Sequence, residues 1–273
     1  MTYDTALATC SLVYPAALDG AVEIAVAEPA NRVFPARVSP GLGICVKVGS
    51  SHEVTINGRR ATYPADSVAL RAPGCVWSSL DGTNGFVSID IAPDWLPEPG
   101  ISGAMGFVGR RGFPDVAAVA RRLATAESTI EADEILSDLV ARAVSSGVVQ
   151  SDALRDPGGV RGAVDDARDF LAANLAGRPT LDAAADAAGV SKFTLLRRFR
   201  RVVGTTPHAY LVMLRIARAR ELLADGAPPA QVALEAGFSD QAHLGRWFRR
   251  AMGLTPAAYA RRSRRGPPAS ISL

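Results

Sequence analysis

GVSKFTLLRRFRRVVGTTP, residues 189–207, and GFSDQAHLGRWFRRAMGLTP, residues 237–256, are two renderings of one segment. Gly189, Val190 and Ser191 answer Gly237, Phe238 and Ser239 at an offset of 48, while Phe199, Arg201, Gly204, Thr206, Pro207 and Tyr210 answer Phe248, Arg250, Gly253, Thr255, Pro256 and Tyr259 at 49. One residue is inserted between the anchors and the rest keeps register. Each copy predicts a short helix closed by a glycine in the left-handed conformation, then a capped helix, then a Thr-Pro that opens another. Ser191 is expected to cap the helix that runs to Val203, and Ser239 its counterpart. A further helix runs from Thr206-Pro207 to about Ala224 and ends at Gly226 and Pro228-Pro229. Helix, tight turn and arginine-rich helix together describe a helix-turn-helix, here present twice.

On a helical wheel, Leu195, Phe199 and Val202 turn toward a core, and Phe193, Leu196, Arg197 and Arg200 turn away from it. In the second copy Leu244, Phe248 and Ala251 point inward with Trp247 beside them. Ala242, Arg246 and Arg249 point outward, with Gly245 at the edge of that face. A mid-helix arginine can fork onto guanine O6 and N7, and an exposed Phe or Leu suits the thymine methyl group. Small residues let a helix backbone sit deep in a groove. A single arginine-rich helix reads equally well as a solvated face; two copies with one inner apolar stripe and one outer basic face argue for nucleic acid.

Charge is divided the same way. Residues 1–150 carry 11 Lys+Arg against 16 Asp+Glu, whereas residues 151–273 carry 19 against 11. An acidic half is joined to a basic half, and the basic half holds the repeat, an electrostatic footprint for a polyanion. The three cysteines, Cys10, Cys45 and Cys75, are odd in number and widely spaced, which suits reduced buried thiols rather than a disulfide framework or a zinc site. No apolar run approaches membrane-spanning length, and MTYDTALATC lacks the charge pattern of a signal peptide, so a cytoplasmic location without membrane attachment is expected.

The first hundred residues alternate with a period of two: VEIAVAE (22–28), GICVKV (43–48), EVTI (53–56), SVALRAP (67–73) and FVSIDIA (86–92), where Val87, Ile89 and Ile91 share a face. Asn57-Gly58 between EVTI and RRATY is a two-residue hairpin signal. Strands at this spacing predict a small sandwich or barrel. From Pro114 the period becomes helical, at 115–128 and 131–146, the second helix carrying Ile135, Leu139 and Val140 on one stripe with Leu136 beside it. Residues 151–163 are polar, Gly-rich and aperiodic, as a linker would be.

The repeated segment resembles the DNA-binding domain of the AraC family of bacterial transcription regulators. Its signature falls on Gly237-Phe238, Ser239-Asp240-Gln241, His243-Leu244, Arg246, Phe248, Gly253, Thr255-Pro256 and Tyr259, and the first motif carries the shorter form. The resemblance covers roughly 164–262. It implies base reading by Phe193, Leu196 and Arg197 from the first helix and by Gln241, Ala242 and Arg246 from the second. Leu196 and Ala242 stand where relatives often place polar readers, so thymine-methyl contact is the expected substitute there. Arg198, Arg201, Arg249 and Arg250, with Ser191, Ser239 and His243, would meet phosphates, His243 alternatively making a hydrogen bond at the core edge. Residues 211–223 resemble the connector that fixes one motif against the other.

The resemblance further implies an α+β fold. An N-terminal cupin-like β-barrel (about 20–98) with dimerisation helices (about 115–146) makes up a sensor and dimerisation domain over 1–150. After the linker at 151–163 comes an all-α domain of two helix-turn-helix motifs over 164–273. The implied function is sequence-specific regulation of transcription, as an activator answering a small molecule, with double-stranded promoter DNA, RNA polymerase and a second copy of the chain as partners. Only His52, His208 and His243 are present, one of them in the barrel, so no metal or other cofactor is expected. No nucleophile–base pair stands out, and no catalytic residue is assigned. Phe34, Arg37, Trp77 and Trp95 could line a pocket or belong to core and rim. Two other readings stay open: a ligand-binding or enzymatic barrel with a generic nucleic-acid tether, and a regulator controlled by a protein partner through a filled barrel. A cavity of roughly a few hundred cubic ångströms would argue against the last.

Overall fold

The computed structural model describes residues 10–18, 20–31, 33–80, 83–96, 101–103, 105–151 and 160–263. Its N-terminal half is antiparallel sheet. Strands β1 (Ser11–Val13), β2 (Val22–Asn31), β4 (Leu42–Val48), β7 (Ser67–Arg71), β9 (Thr83–Ile91) and β11 (Met105–Gly109) form one sheet in the order β1-β2-β9-β4-β7-β11. A smaller sheet runs β3 (Arg37–Val38), β8 (Val76–Ser79), β5 (His52–Ile56), β6 (Arg59–Tyr63), and β10 (Ile101–Gly103) pairs with β12 (Val149–Ser151). The sheet therefore reaches beyond the 20–98 expected of it, because Ser11–Val13 adds an edge next to β2 and Met105–Gly109 adds one next to β7. Asn57 (φ +48°) and Gly58 (φ +77°) turn the β5–β6 hairpin as their sequence predicts.

Alternation along the large sheet sorts its side chains onto two different surfaces. Ile24, Ile44, Val46, Val68, Leu70, Val87 and Ile89 are buried against helices α1 (Val116–Thr125) and α2 (Thr129–Ser145), which contribute Ala120, Leu123, Leu136 and Leu139. The intervening residues, among them Glu23, Ala25, Cys45, Ala69, Arg71 and Ser88, face the smaller sheet and the C-terminal half. The row is short or polar, and it leaves a cavity rather than a filled interior.

The C-terminal half is helical: α3 (Val160–Ala173), α4 (Leu181–Ala187), α5 (Lys192–Val203), α6 (Pro207–Ala224), α7 (Pro229–Glu235), α8 (Gln241–Met252) and α9 (Pro256–Arg262). Helix α3 begins at Val160, inside the stretch 151–163 expected to be a linker; residues 152–159, like 264–273, lie outside the described residues. The connector is α6, 18 residues long and thus about 27 Å. It is buried around most of its circumference, as Leu211, Leu214, Ile216, Ala219, Leu222 and Leu223 show, so both motifs pack on it as on a shared axle.

The two halves share cores. Ala25, Ala27 and Phe86 of the sheet cluster with Ile216, Leu223 and Tyr259, while Val38 and Val76 cluster with Val164, Leu211 and Leu214. Where the halves meet, Arg220 of α6 pairs with Glu23 of β2. Glu23 also takes hydrogen bonds from the hydroxyls of Tyr14 and Tyr259, the latter at 3.0 Å, and the two hydroxyls lie 2.7 Å apart.

Candidate nucleic-acid interface

Both motifs are built alike in atomic detail. Ser191 caps α5 by accepting from the Thr194 amide, and Gly204 ends it at φ +78°. Asp240 caps α8 by accepting from the His243 amide, and Gly253 ends that helix at φ +70°. Thr206 and Thr255 cap the helices that follow. Phe199 meets Tyr210 edge-on with centroids 5.4 Å apart, and Phe248 meets Tyr259 the same way at 5.4 Å. The duplication is one of packing as well as of sequence.

One capping assignment is corrected. Ser239 does not cap α8; the inserted residue moves the cap to Asp240, whose carboxylate reaches the His243 amide at 2.7 Å. That amide, followed by the Ser239 hydroxyl, holds the Asp240 carboxyl below its usual range. Ser239 is instead a link in a chain. Trp247 donates its indole N–H to His243 Nε2 at 3.0 Å, His243 Nδ1 lies 3.0 Å from Ser239 Oγ, and that hydroxyl reaches Asp240 Oδ2 at 3.0 Å. Both ring nitrogens of His243 are thus engaged within the motif, and a phosphate contact from it requires one of these bonds to open.

The inner stripes are Leu195, Phe199 and Val203 on α5 and Leu244, Phe248 and Met252 on α8. Val202 and Ala251, expected inside, are only half-buried, since strict i, i+4, i+8 spacing carries the stripe one residue further in both copies. Among the base-reading candidates, Arg197, Gln241, Ala242 and Arg246 are exposed, Leu196 is half-buried, and Phe193 is 75% exposed. A Cβ added at Gly245 would meet nothing within 4 Å, which leaves the outer face of α8 flat. Of the phosphate candidates, Arg201, Arg249 and Arg250 are exposed and Arg198 is half-buried; Arg250 leans over the Trp247 ring at 5.6 Å. The arginines at 197, 200, 201, 246, 249 and 250 belong to the faces turned away from the shared core.

Behind this surface lies a cavity of about 140 Å³ between the two sheets and α6, lined by Phe34, Arg37 and Trp77 together with Arg71, Asp90 and Arg220. Trp95 instead packs against the core under α1 and α2. The volume is smaller than the few hundred cubic ångströms expected of a roomy pocket and matches a site for one aromatic ring. The residues of β2, β7 and β9 that line it escaped the sequence reading, although their i, i+2 spacing in Glu23-Ala25, Ala69-Arg71 and Phe86-Ser88-Asp90 was available to be read. The thiols of Cys10 and Cys75 are buried and that of Cys45 is half-buried; burial pushes the Cys75 thiol up to about 11. Among the described residues, no helix is long and apolar enough to cross a membrane.

Residues 184–262 match a family described as a helix-turn-helix domain. A 75-residue stretch is 40% identical to YbfI, an HTH-type transcriptional regulator of Bacillus subtilis (strain 168), the match taking in 28% of this chain and 27% of that protein's length. An AraC-type DNA-binding domain-containing transcriptional regulator from Chromobacterium violaceum is 30% identical, with 38% of this chain and 93% of that chain covered at a TM-score of 0.37. ToxT of Vibrio cholerae strain SCE256 shares the two-domain fold over 88% of this chain: 97% of the apo form is covered at a TM-score of 0.61 and 12% identity, and 94% of the form bound to an unsaturated fatty acid at 0.60 and 13%.

Proposed function

The chain belongs to the AraC family of bacterial transcription regulators through its C-terminal domain, and from that premise we propose that it is a cytoplasmic, sequence-specific DNA-binding regulator that responds to a small molecule. The carrying observation is the pair of matched helices α5 and α8, each with its arginines turned away from the core of one rigid connector. An ordinary helix-turn-helix protein reaches two successive major grooves, about 34 Å apart, by dimerising. This chain carries both recognition helices itself and would cover close to two turns, roughly 20 base pairs. The domain reading is a sensor and pairing unit over 1–150 and a DNA-binding unit over 164–273. In it α1 and α2 join two chains, Ile130 at 74% exposure offering an apolar contact, and RNA polymerase is the partner at the promoter. The cupin-like barrel then serves as sensor rather than enzyme. The cavity behind α6 falls short of the few hundred cubic ångströms that would argue against control by a protein partner, but it has room for one ring, and with the fatty acid bound by ToxT it supports a small-molecule effector.

Footprinting the full chain on selected duplexes tests the proposal. Each chain is expected to protect its own asymmetric site of roughly 20 base pairs, so that a pair of chains covers two such sites in tandem or inverted arrangement; two chains sharing one palindrome of single-groove half-sites, or no unique site, would overturn it. Binding should weaken steeply as salt rises, because many arginines displace counterions.

Base reading and phosphate contact separate by substitution. Arg197→Ala and Arg246→Ala should each cost about 1–3 kcal/mol on the best site and relax preference at one or two base pairs. Arg249→Ala should weaken matched and mismatched sites alike. Uniform loss with Arg246→Ala, measured by competition on a mismatch panel, would remove it from the readers.

A further inference from the structure

Most charges around the cavity are matched locally. Its wall carries four cations, Arg37, Lys47, Arg71 and Arg220, and three carboxylates, Glu23, Asp90 and Glu221. Arg71 pairs with Asp90 at 3.0 Å, Arg220 with Glu23, and Glu221 with Arg218 at 2.9 Å. Lys47 is held by the Ser50 carbonyl and lies 2.7 Å from His52 Nδ1. Arg37 differs. No described carboxylate lies within ion-pairing distance of its guanidinium, whereas Arg71 and Arg220 each have one; its buried Nε, like theirs, has no hydrogen-bond partner. The group is set against aromatic rings, 4.8 Å from the Phe34 centroid and 5.3 Å from that of Trp77. Burial, then repulsion from Arg220 and Arg71, pulls Arg37 from its usual value down to about 9. A half-buried cation with no carboxylate in contact, Asp90 attracting it only from further off, is costly, and a carboxylate, which guanidinium binds through two parallel N–H donors, is the group that relieves it.

Size and lining narrow the rest of the ligand. The void exists because Ala25, Cys45, Ala69 and Ser88 are short, and its floor includes Phe34, Trp77 and Phe86. A cavity of about 140 Å³ is close to one that accepts benzene. We infer that the cavity takes a single-ring organic carboxylate whose charge is met by Arg37. The inference rests on the effector reading above and names the class of effector.

Three carboxylates, benzoate, phenylacetate and cinnamate, and their three amides serve as probes on the full chain, with calorimetry and thermal shift as readouts. At least one carboxylate should bind tenfold or more tightly than its amide and raise Tm. Arg37→Met should abolish that preference and raise the Tm of the ligand-free protein, since it removes an unpaired cation while keeping the packed stem. Arg37→Lys should restore part of the preference. Amides binding as tightly as acids would overturn the charge assignment and leave the effector pocket standing. No binding by any of the six, in protein that still gives a footprint, would overturn the ligand class and the pocket together without touching DNA recognition. Arg37→Met and Arg37→Gln both lowering the ligand-free Tm would make Arg37 a structural residue and sink the inference.

Discussion

Arg220→Met alone is expected to lower the stability of the full chain by about 3–5 kcal/mol, and Glu23→Leu combined with Arg220→Met to recover most of that loss. Glu23 and Arg220 have side chains only 13% and 19% exposed, and their partners come from opposite halves of the molecule. Removing the arginine strands a carboxylate beside the Tyr14 and Tyr259 hydroxyls, with desolvation no longer offset by attraction. Removing both charges leaves an apolar contact and two hydroxyls that still reach each other at 2.7 Å. Urea denaturation of the two singles and the double gives the coupling directly. A cost below about 1 kcal/mol for the single would class the pair with solvent-screened surface bridges.

That network matters for function because of where Tyr259 sits. It is the tyrosine of the second Thr-Pro-x-x-Tyr segment, and its equivalent in the first, Tyr210, is also tied to the sheet half. Arg168 of α3 donates to the Tyr210 hydroxyl at 3.2 Å and to the Pro73 carbonyl at 2.9 Å. Each recognition helix therefore packs its central phenylalanine on a tyrosine whose hydroxyl leads to the N-terminal half. A ligand that shifts the position of Arg220 or of the Pro73 turn has a short physical route to α8 or α5.

The helical half was legible because its signals are local. Glycine at a positive φ, a Ser or Asp cap, Thr-Pro at a helix start and i, i+4 apolar spacing each act within a few residues, so α5, α6 and α8 end where the sequence puts them. The misplaced cap at Ser239 came from trusting the repeat across its one insertion, and Asp240 wins because an ionised carboxylate accepts the free amide more strongly. Strands β3, β8, β10 and β12 were missed because two to four residues carry too little period to read, and their existence depends on partners distant in sequence. The cavity was half visible. Val87, Ile89 and Ile91 announced a buried face, but which neighbour covers it is a tertiary fact: helices cover the aliphatic row, and the short, polar row in between turns to the void. Arg37 was noticed without a role, since a lone arginine in sequence says nothing about whether a carboxylate will stand opposite.

Gly204→Ala should cost at least about 3 kcal/mol, well beyond the same change at Gly189. Both glycines sit at positive φ, +78° and +62°, so alanine at either pays the left-handed strain of about 1–2 kcal/mol. Their surroundings differ. A Cβ on Gly189 meets nothing within 4 Å, whereas one on Gly204 would lie 2.2 Å from the Gly58 nitrogen and 2.3 Å from the Asn57 carbonyl carbon. Gly58 needs its own lack of a side chain for the same approach, a Cβ there falling 2.6 Å from the Gly204 Cα. These are backbone atoms of a tight hairpin and cannot rotate aside. The β5–β6 turn must lift off the turn that ends α5, which frees the first recognition helix from the sheet half while leaving its internal packing on Leu195 and Phe199 intact. Hydrogen exchange on the full chain should therefore show faster exchange in the Asn57-Gly58 hairpin for Gly204→Ala and unchanged exchange there for Gly189→Ala. Equal destabilisation by the two substitutions, with the hairpin equally protected in both, would mean that the hairpin does not hold the first motif in solution and that the sheet half reaches the DNA-binding helices through the shared apolar cores, Arg168 and Glu23 instead.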